Sequence, residues 1–145
     1  MSSTTEREGA TSHSGLSIVL PTFNESGSIL QVIESLLRLE TENPIEILVV
    51  DDDSRDGTPD LVRALARQDP RIRIIQRVGR SGLASAIKEG LIAALYPTAV
   101  VMDSDGQHEP TSVGEAVQLL DREGLDLVAG SRFLDLSEIR GLSDR

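Results

Sequence analysis

Two stretches of this sequence put acidic side chains where they could do chemistry. The first, "ILVVDDDSRDGT" (Ile47 to Thr58), passes from an apolar run into three consecutive aspartates, Asp51, Asp52 and Asp53. The second, "VVMDSDGQHEP" (Val100 to Pro110), sets Asp103 and Asp105 one residue apart directly after another apolar run. If extended geometry persists there, residues two apart point the same way and two carboxylates meet on one side. Close carboxylates repel and raise one another's proton affinity unless a cation sits between them. Magnesium or manganese suits that arrangement, because these hard cations take oxygen ligands and keep positions for water and substrate phosphates. Gln107 adds a neutral oxygen or orients a phosphate. Such acids fit two classes of protein, a phosphate-accepting switch or an enzyme holding a nucleotide and a divalent metal. The plainer reading is loop acids, which favour turns and helix starts.

The elements that must position these residues are legible from periodicity. Short β-rich runs at Leu16 to Leu20 (stopped by Pro21), Ile45 to Val50, Arg71 to Gln76, Thr98 to Asp103 and Leu125 to Gly130 read as five strands. Helical patterns lie between them. "SGSILQVIESLLRLE" places Ile29, Val32, Ile33, Leu36 and Leu37 on one face, with Glu25 or Ser26 as cap, and "TPDLVRALARQ" carries Pro59 in its first turn. "SGLASAIKEGLIAAL" and "EPTSVGEAVQLLDREG" supply two more. Apolar strands alternating with helices predict an α/β domain, a mostly parallel sheet with helices on both faces. Ligands of such sheets gather beyond the carboxyl ends of the strands, and both acidic groups stand there. That shared placement favours a site over a set of loop acids.

Composition narrows the function. A chain of 145 residues with 39% apolar content supports one core and one domain. The absence of cysteine removes disulfides, thiolate zinc sites and cysteine nucleophiles, and two histidines, His13 and His108, are too few for a multi-histidine metal site. A formal charge of -10 with scattered basic residues argues against nucleic acid as a partner. No apolar stretch approaches the roughly 20 residues of a membrane-spanning helix. Residues 1–15 have no signal-peptide pattern and read as a disordered tail.

Smaller motifs have competing readings. "SRDGTPD" looks like a turn into a helix, with Gly57 at positive φ and Asp56 or Thr58 as cap, a structural role. The glycine turn of "VGRSGLASAIKEG" could cradle phosphate at a helix N-terminus, or its small residues could simply admit close packing. Arg132 in "AGSRF" stands just past a strand end, where a guanidinium could clamp phosphate or lie on the surface. His108 stays outside the catalytic set. A signalling receiver domain would share "ILVVDDD", but it would need a lysine after a later strand. The one lysine, Lys88, falls inside a helix, and a whole strand and helix precede the acidic strand.

Taken in order, "IVLPTFNES", "ILVVDDDSRDGT", "RSGLASAIKEG", "VVMDSDGQHEP" and "VAGSRF" resemble the family 2 glycosyltransferases of GT-A fold, and more narrowly the polyprenyl-phosphate (dolichol-phosphate) mannose synthases. The resemblance covers Leu16 to about Phe133, and "DSDGQHEP" matches the family pattern D-x-D-x-Q-H-x-P with Ser104 at the variable position. It implies transfer of mannose from GDP-mannose to a polyprenyl phosphate, with inversion and with Mg2+ or Mn2+. Pro21, Phe23 and Glu25 would line the nucleotide pocket, while Val50 and Asp52 would meet the base. Asp103, Ser104, Asp105 and Gln107 would hold metal and diphosphate, with Asp103, Asp105 and Gln107 as metal ligands. Asp105 and Arg132 would carry the catalysis, Arg132 against the phosphate of donor or lipid.

The resemblance also implies a transferase domain over residues 16–135. Residues 136–145 would open an incomplete acceptor segment in a C-terminally truncated chain. The expected place of work is peripheral, at the cytoplasmic face of a membrane, with a membrane-protein partner or a further C-terminal membrane segment. A donor such as UDP-glucose, a hydroxyl acceptor, or a sugar-nucleotide-binding module without activity are the alternatives.

Overall fold

The computed structural model describes residues 15–107 and 110–130. The tail before Gly15, His108, Arg132 and the segment 136–145 lie outside the described residues. Eight elements follow in order: β1 (Leu16–Thr22), α1 (Ile29–Leu37), β2 (Ile45–Asp51), α2 (Thr58–Ala66), β3 (Ile72–Gln76), α3 (Leu83–Ala93), β4 (Thr98–Val101) and α4 (Thr111–Glu123). The strands form one parallel sheet in the order β3-β2-β1-β4. A receiver-type sheet runs 2-1-3-4-5. The observed order therefore removes the signalling-switch alternative.

The sheet is covered on both faces, as the unbroken apolar strands predict. Ile18, Leu20, Ile47 and Val49 pack with Ile29, Ile33 and Leu36 of α1, Val62 of α2 and Val113 of α4. Val19, Leu48 and Val50, alternate residues on the same strands, face Ala86 of α3 in a smaller cluster. The small-residue pattern of α3 serves this contact. A Cβ on Gly90 would fall 2.4 Å from Val19 Cγ1, so only glycine lets the helix axis come this close.

Three expectations need correction. β1 does not stop before Pro21 but runs to Thr22. The β1–β4 register ends at Val19↔Val101, and the Pro21 carbonyl faces the β4 side, where it accepts from Ser104. The missing N–H of the proline thus falls where no ladder bond is due. Helix α1 begins at Ile29 with Ser28 as N-cap, later than a cap at Glu25 or Ser26 would give. Residues 125–130, expected as a fifth strand, make no ladder. They line a groove of about 520 Å³ with Val100, Val101, Ala116 and Leu120, standing off from β4 instead of pairing with it. Apolar character makes a strand only where a neighbouring edge is within main-chain hydrogen-bonding distance.

The amino end of the sheet is locked by a buried acid. Glu46 accepts from Ser17 Oγ at 2.5 Å, from Arg73 Nη1 at 2.7 Å and from the Leu95 N–H, joining β1, β2, β3 and the end of the α3 region. Burial alone would raise the proton affinity of this carboxyl, but the Leu95 N–H, the Ser17 hydroxyl and Arg73 outweigh it and hold the group below its ordinary value. A lowered folded pKa stabilises the protein fully above the unfolded value, about 4.3 for glutamate. That contribution disappears as pH falls through the lowered folded value. Glu46→Gln should therefore lower unfolding free energy by about 1–3 kcal/mol at pH 7. In urea titrations the gap to wild type should narrow as the pH is taken below about 4.

Candidate active site

The carboxyl ends of β1, β2 and β3 carry loops that are tied to one another by side chains. Asn24 and Asp53 take positive φ, 54° and 60°, which leaves backbone N–H groups of the two tight turns pointing out of any ladder. Each finds a partner across the gap. Asn24 N donates to Ser54 Oγ (2.7 Å), Arg55 N to Asn24 Oδ1 (3.1 Å), Glu25 N to Thr58 Oγ1 (3.0 Å) and Ser26 N to Asp56 Oδ2 (2.8 Å). Asp56 also accepts from Thr58 Oγ1 (2.6 Å) and Thr58 N (3.1 Å), and Gly57 takes φ 95° to let α2 begin. The turn into a helix read from "SRDGTPD" is present, with Gly57 at positive φ, but Gly57 itself is the N-cap and no side chain caps α2; Asp56 and Thr58 serve to tie the two loops together.

Above the laced loops lies a cleft of about 320 Å³ lined by Phe23, Asn24, Asp52, Asp53, Arg55, Gly79, Arg80 and Ser81. Phe23 is 59% exposed, a large apolar ring left in water at the cleft. Asp52 is nearly buried, and both of its oxygens are engaged. Arg77 Nη1 donates to Oδ1, and Gly82 N, at the start of α3, donates to Oδ2 at 2.7 Å. The helix start proposed as a phosphate cradle is thus already met by a carboxylate of the chain itself.

The Asp103–Asp105 loop leaves β4, the strand beside β1, and is fastened to the segments that flank Phe23 and Asn24 of the cleft. Ser104 is buried, its hydroxyl donates to Pro21 O (3.1 Å), and its carbonyl lies 2.9 Å from Ser28 Oγ. Ser28 Oγ is also 2.8 Å from Glu25 Oε2, so its single proton is shared between two acceptors and links "PTFNE" to "DSD". Asp105 Oδ1 accepts from Gln107 N at 2.9 Å, closing the turn that carries the acids. With Ser104 turned inward, Asp103 is left exposed and Asp105 half-buried. In a sheet ordered 3-2-1-4, the strand order reverses between β1 and β4, the place where open α/β sheets bind ligands.

Would a divalent cation fit these donors? Among the described residues no group of three or more acidic or histidine side chains gathers to hold a metal. Two carboxylates on one exposed turn suit a hard cation that completes its shell with water and substrate phosphate, and not a closed protein cage. The donor set fits a metal that arrives with a diphosphate.

The residues singled out from sequence thus separate. Phe23 and Asp52 line the cleft, while Pro21, Glu25 and Ser104 build the link between cleft and acidic turn. Asp103, Asp105 and Gln107 stand on that turn, and Arg132 lies outside the described residues. Val50 does not reach the cleft, because its side chain points to the α3 face and is fully buried there. Sequence reasoning missed Arg77, Ser28, Asn24 and Ser54. Asn24 and Ser54, polar residues in turns beside the acids, carried the only signal.

Comparison with known proteins gives concordant results. The profile of Glycosyl transferase family 2 matches residues 17–142. Polyprenol monophosphomannose synthase of Mycolicibacterium smegmatis is 34% identical over 128 residues, covering 85% of this chain and 47% of that protein. A mannosyltransferase of Pyrobaculum calidifontis, solved with GDP-Man and Mn2+, superposes with a TM-score of 0.62 at 29% identity over 72% of this chain and 32% of the other. Glucosyl-3-phosphoglycerate synthase of Mycobacterium tuberculosis, solved with Mn2+, UDP and glucosyl-3-phosphoglycerate, gives 0.58 at 31% identity over 72% and 39%. The chain spans from a third to about half the length of the curated relatives it matches.

Asp56 offers a check on the loop lacing. Its carboxyl is held well below the usual range, chiefly by the Thr58 hydroxyl and also by the Ser26 and Thr58 N–H groups. The sign is that of a depressed acid. The lacing is complete above the unfolded value of about 3.9 and fails only as pH drops through the lower folded one. In hydrogen-exchange NMR, Asp56→Ala should deprotect the Ser26 and Thr58 amides while the Val49 amide keeps its protection. The wild-type amides should stay protected at pH 4.

Proposed function

The chain belongs to glycosyl transferase family 2, and on that premise we propose that it binds GDP-mannose and carries the donor half of a mannosyl transfer to a polyprenyl phosphate. The observation that supports this most directly is the nucleotide-sized cleft beside an acidic turn, joined to it through Ser28, Ser104 and Pro21. A purine stacked on Phe23 and facing Asp52 would place its diphosphate toward Asp103 and Asp105. Base–aromatic stacking contributes on the order of 1–3 kcal/mol. The likeness to a polyprenol monophosphomannose synthase and to a mannosyltransferase solved with GDP-Man favours guanine and mannose.

The chemistry asks little of the chain beyond placement. The bond from the sugar C1 to the terminal diphosphate oxygen breaks, and its electron pair leaves with GDP. An oxygen of the acceptor phosphate, already anionic, attacks C1 from the opposite face, so no proton has to be removed and inversion results. Mg2+ or Mn2+ held by Asp103 and Asp105, with Gln107 beside it, would neutralise charge developing on the departing diphosphate. Arg132 would contribute a guanidinium to the acceptor or donor phosphate. Among the described residues no helix is long and apolar enough to cross a membrane. The reading places access to a lipid phosphate at the cytoplasmic face of a membrane, peripherally, through a membrane-protein partner or through a further C-terminal membrane segment.

A second reading keeps the fold and changes the donor, since a relative of similar likeness was solved with UDP. Calorimetry with GDP, GDP-mannose and UDP-glucose, each with manganese and with chelator, separates the two. Guanine nucleotides should bind only with metal. Asp105→Asn should weaken that binding by at least about tenfold, the loss of one charged ligand interaction. The variant should leave any residual binding in chelator unchanged. Preference for UDP-glucose would replace the donor, and equal loss with and without metal would remove Asp105 from the metal site.

A further inference from the structure

Arg77 is placed where an arginine is costly. It follows β3 directly, and its side chain is 3% exposed. A buried guanidinium is tolerated only when its donors are matched. Here the two terminal nitrogens are matched, one of them by Asp52 of the cleft wall and both by groups at the start of α3. Nη1 donates to Asp52 Oδ1 and, at 3.2 Å, to Gly82 O; Nη2 donates to Ser85 Oγ at 2.5 Å. Nε lies 3.2 Å from Glu89 Oε2, close enough for an ion pair though not aligned as a hydrogen bond. One planar fork therefore joins the end of β2 to the first turns of α3. The main chain of the same residue closes the turn that follows, because Arg80 N donates to Arg77 O at 3.0 Å, a contact independent of the side chain.

We propose that Arg77 is a positioning residue for nucleotide recognition, acting through Asp52 and the start of α3 without touching the ligand. The role rests on the nucleotide-binding reading above. Arg77 and Gly82 N each occupy one oxygen of a carboxylate that has about four acceptor sites, leaving one site per oxygen for a ligand. Two such sites on a rigid carboxylate suit a base edge with two adjacent N–H donors, as guanine has. A uracil edge, with one N–H, uses half of them. Lysine cannot replace the arginine, since an ammonium has no fork to span the carboxylate, the Gly82 carbonyl and Ser85 together.

The test uses Arg77→Lys, which keeps the charge, and Arg77→Met, each followed by two measurements. Without ligand, hydrogen exchange should show the Gly82 amide deprotected by about tenfold, the loss of one charge-assisted hydrogen bond. The Val49 amide in the core should be unchanged. With manganese, GDP affinity should fall by about tenfold and pyrophosphate affinity by less than about twofold. Should the methionine variant fail to fold, the lysine variant decides. Gly82 protection equal to wild type, or parallel loss of GDP and pyrophosphate binding, would overturn the proposal. A wild-type chain that prefers UDP overturns the guanine reading alone, and the comparison is then made with UDP. One that binds no nucleotide overturns the functional reading, while the Gly82 exchange still judges the latch.

Discussion

The site depends on one constraint, that backbone N–H groups turned away from a parallel sheet must still be paired. Where β1 and β2 end, the chain makes two tight turns with left-handed residues, and the loop that follows each strand supplies hydrogen-bond partners to the other. Asn24, Ser54, Asp56 and Thr58 are the partners. Four part-buried or exposed bonds across the gap act together, and hold the two loops as one rim. Asp52 and Phe23 project from that rim, so their separation is determined by backbone pairing and not by side-chain freedom.

The two ends of the sheet are treated differently. At the amino end, Glu46 of β2 is buried among donors from its two neighbouring strands and from the segment after α3. At the carboxyl end the same strands carry Asp52, Asp103 and Asp105, acids that are held in place yet retain access to solvent or to the cleft. The same chemistry, a carboxylate matched to hydrogen-bond donors, thus buries one acid at one end of the sheet and holds others toward the cleft and solvent at the other. Gly90 connects the two, because the close approach of α3 to β1 that it permits brings Gly82 and Ser85 within reach of Arg77.

The link between the donor cleft and the acidic turn comes from the sheet order. Because β4 pairs with β1, Pro21 of β1 and Ser104, in the loop just past β4, meet although 83 residues apart in sequence. Ser28 closes the connection from the start of α1, with Ser104 76 residues away. Two serine hydroxyls and two main-chain carbonyls thus tie the segment before Phe23 and the start of α1 to the acidic turn.

Much of this was legible in the order of residues alone. Four parallel strands, four helices, the two acidic strand ends and the family resemblance follow from hydrophobic period and from motifs, because strand and helix periodicity is a local property. What the sequence could not determine depends on distance across the fold. The fifth strand failed since residues 125–130 meet no edge within hydrogen-bonding reach. Val50, one residue before the acids, is buried because strand alternation turns it to the α3 side. Pro21 did not end β1, as the ladder that would have needed its N–H had already stopped. Arg77, unremarkable after "RIRIIQ", becomes the group that holds Asp52 only once β3 and α3 are brought side by side. In each case tertiary pairing decided, because hydrogen bonds and burial are set by neighbours in space, which no single stretch of chain contains.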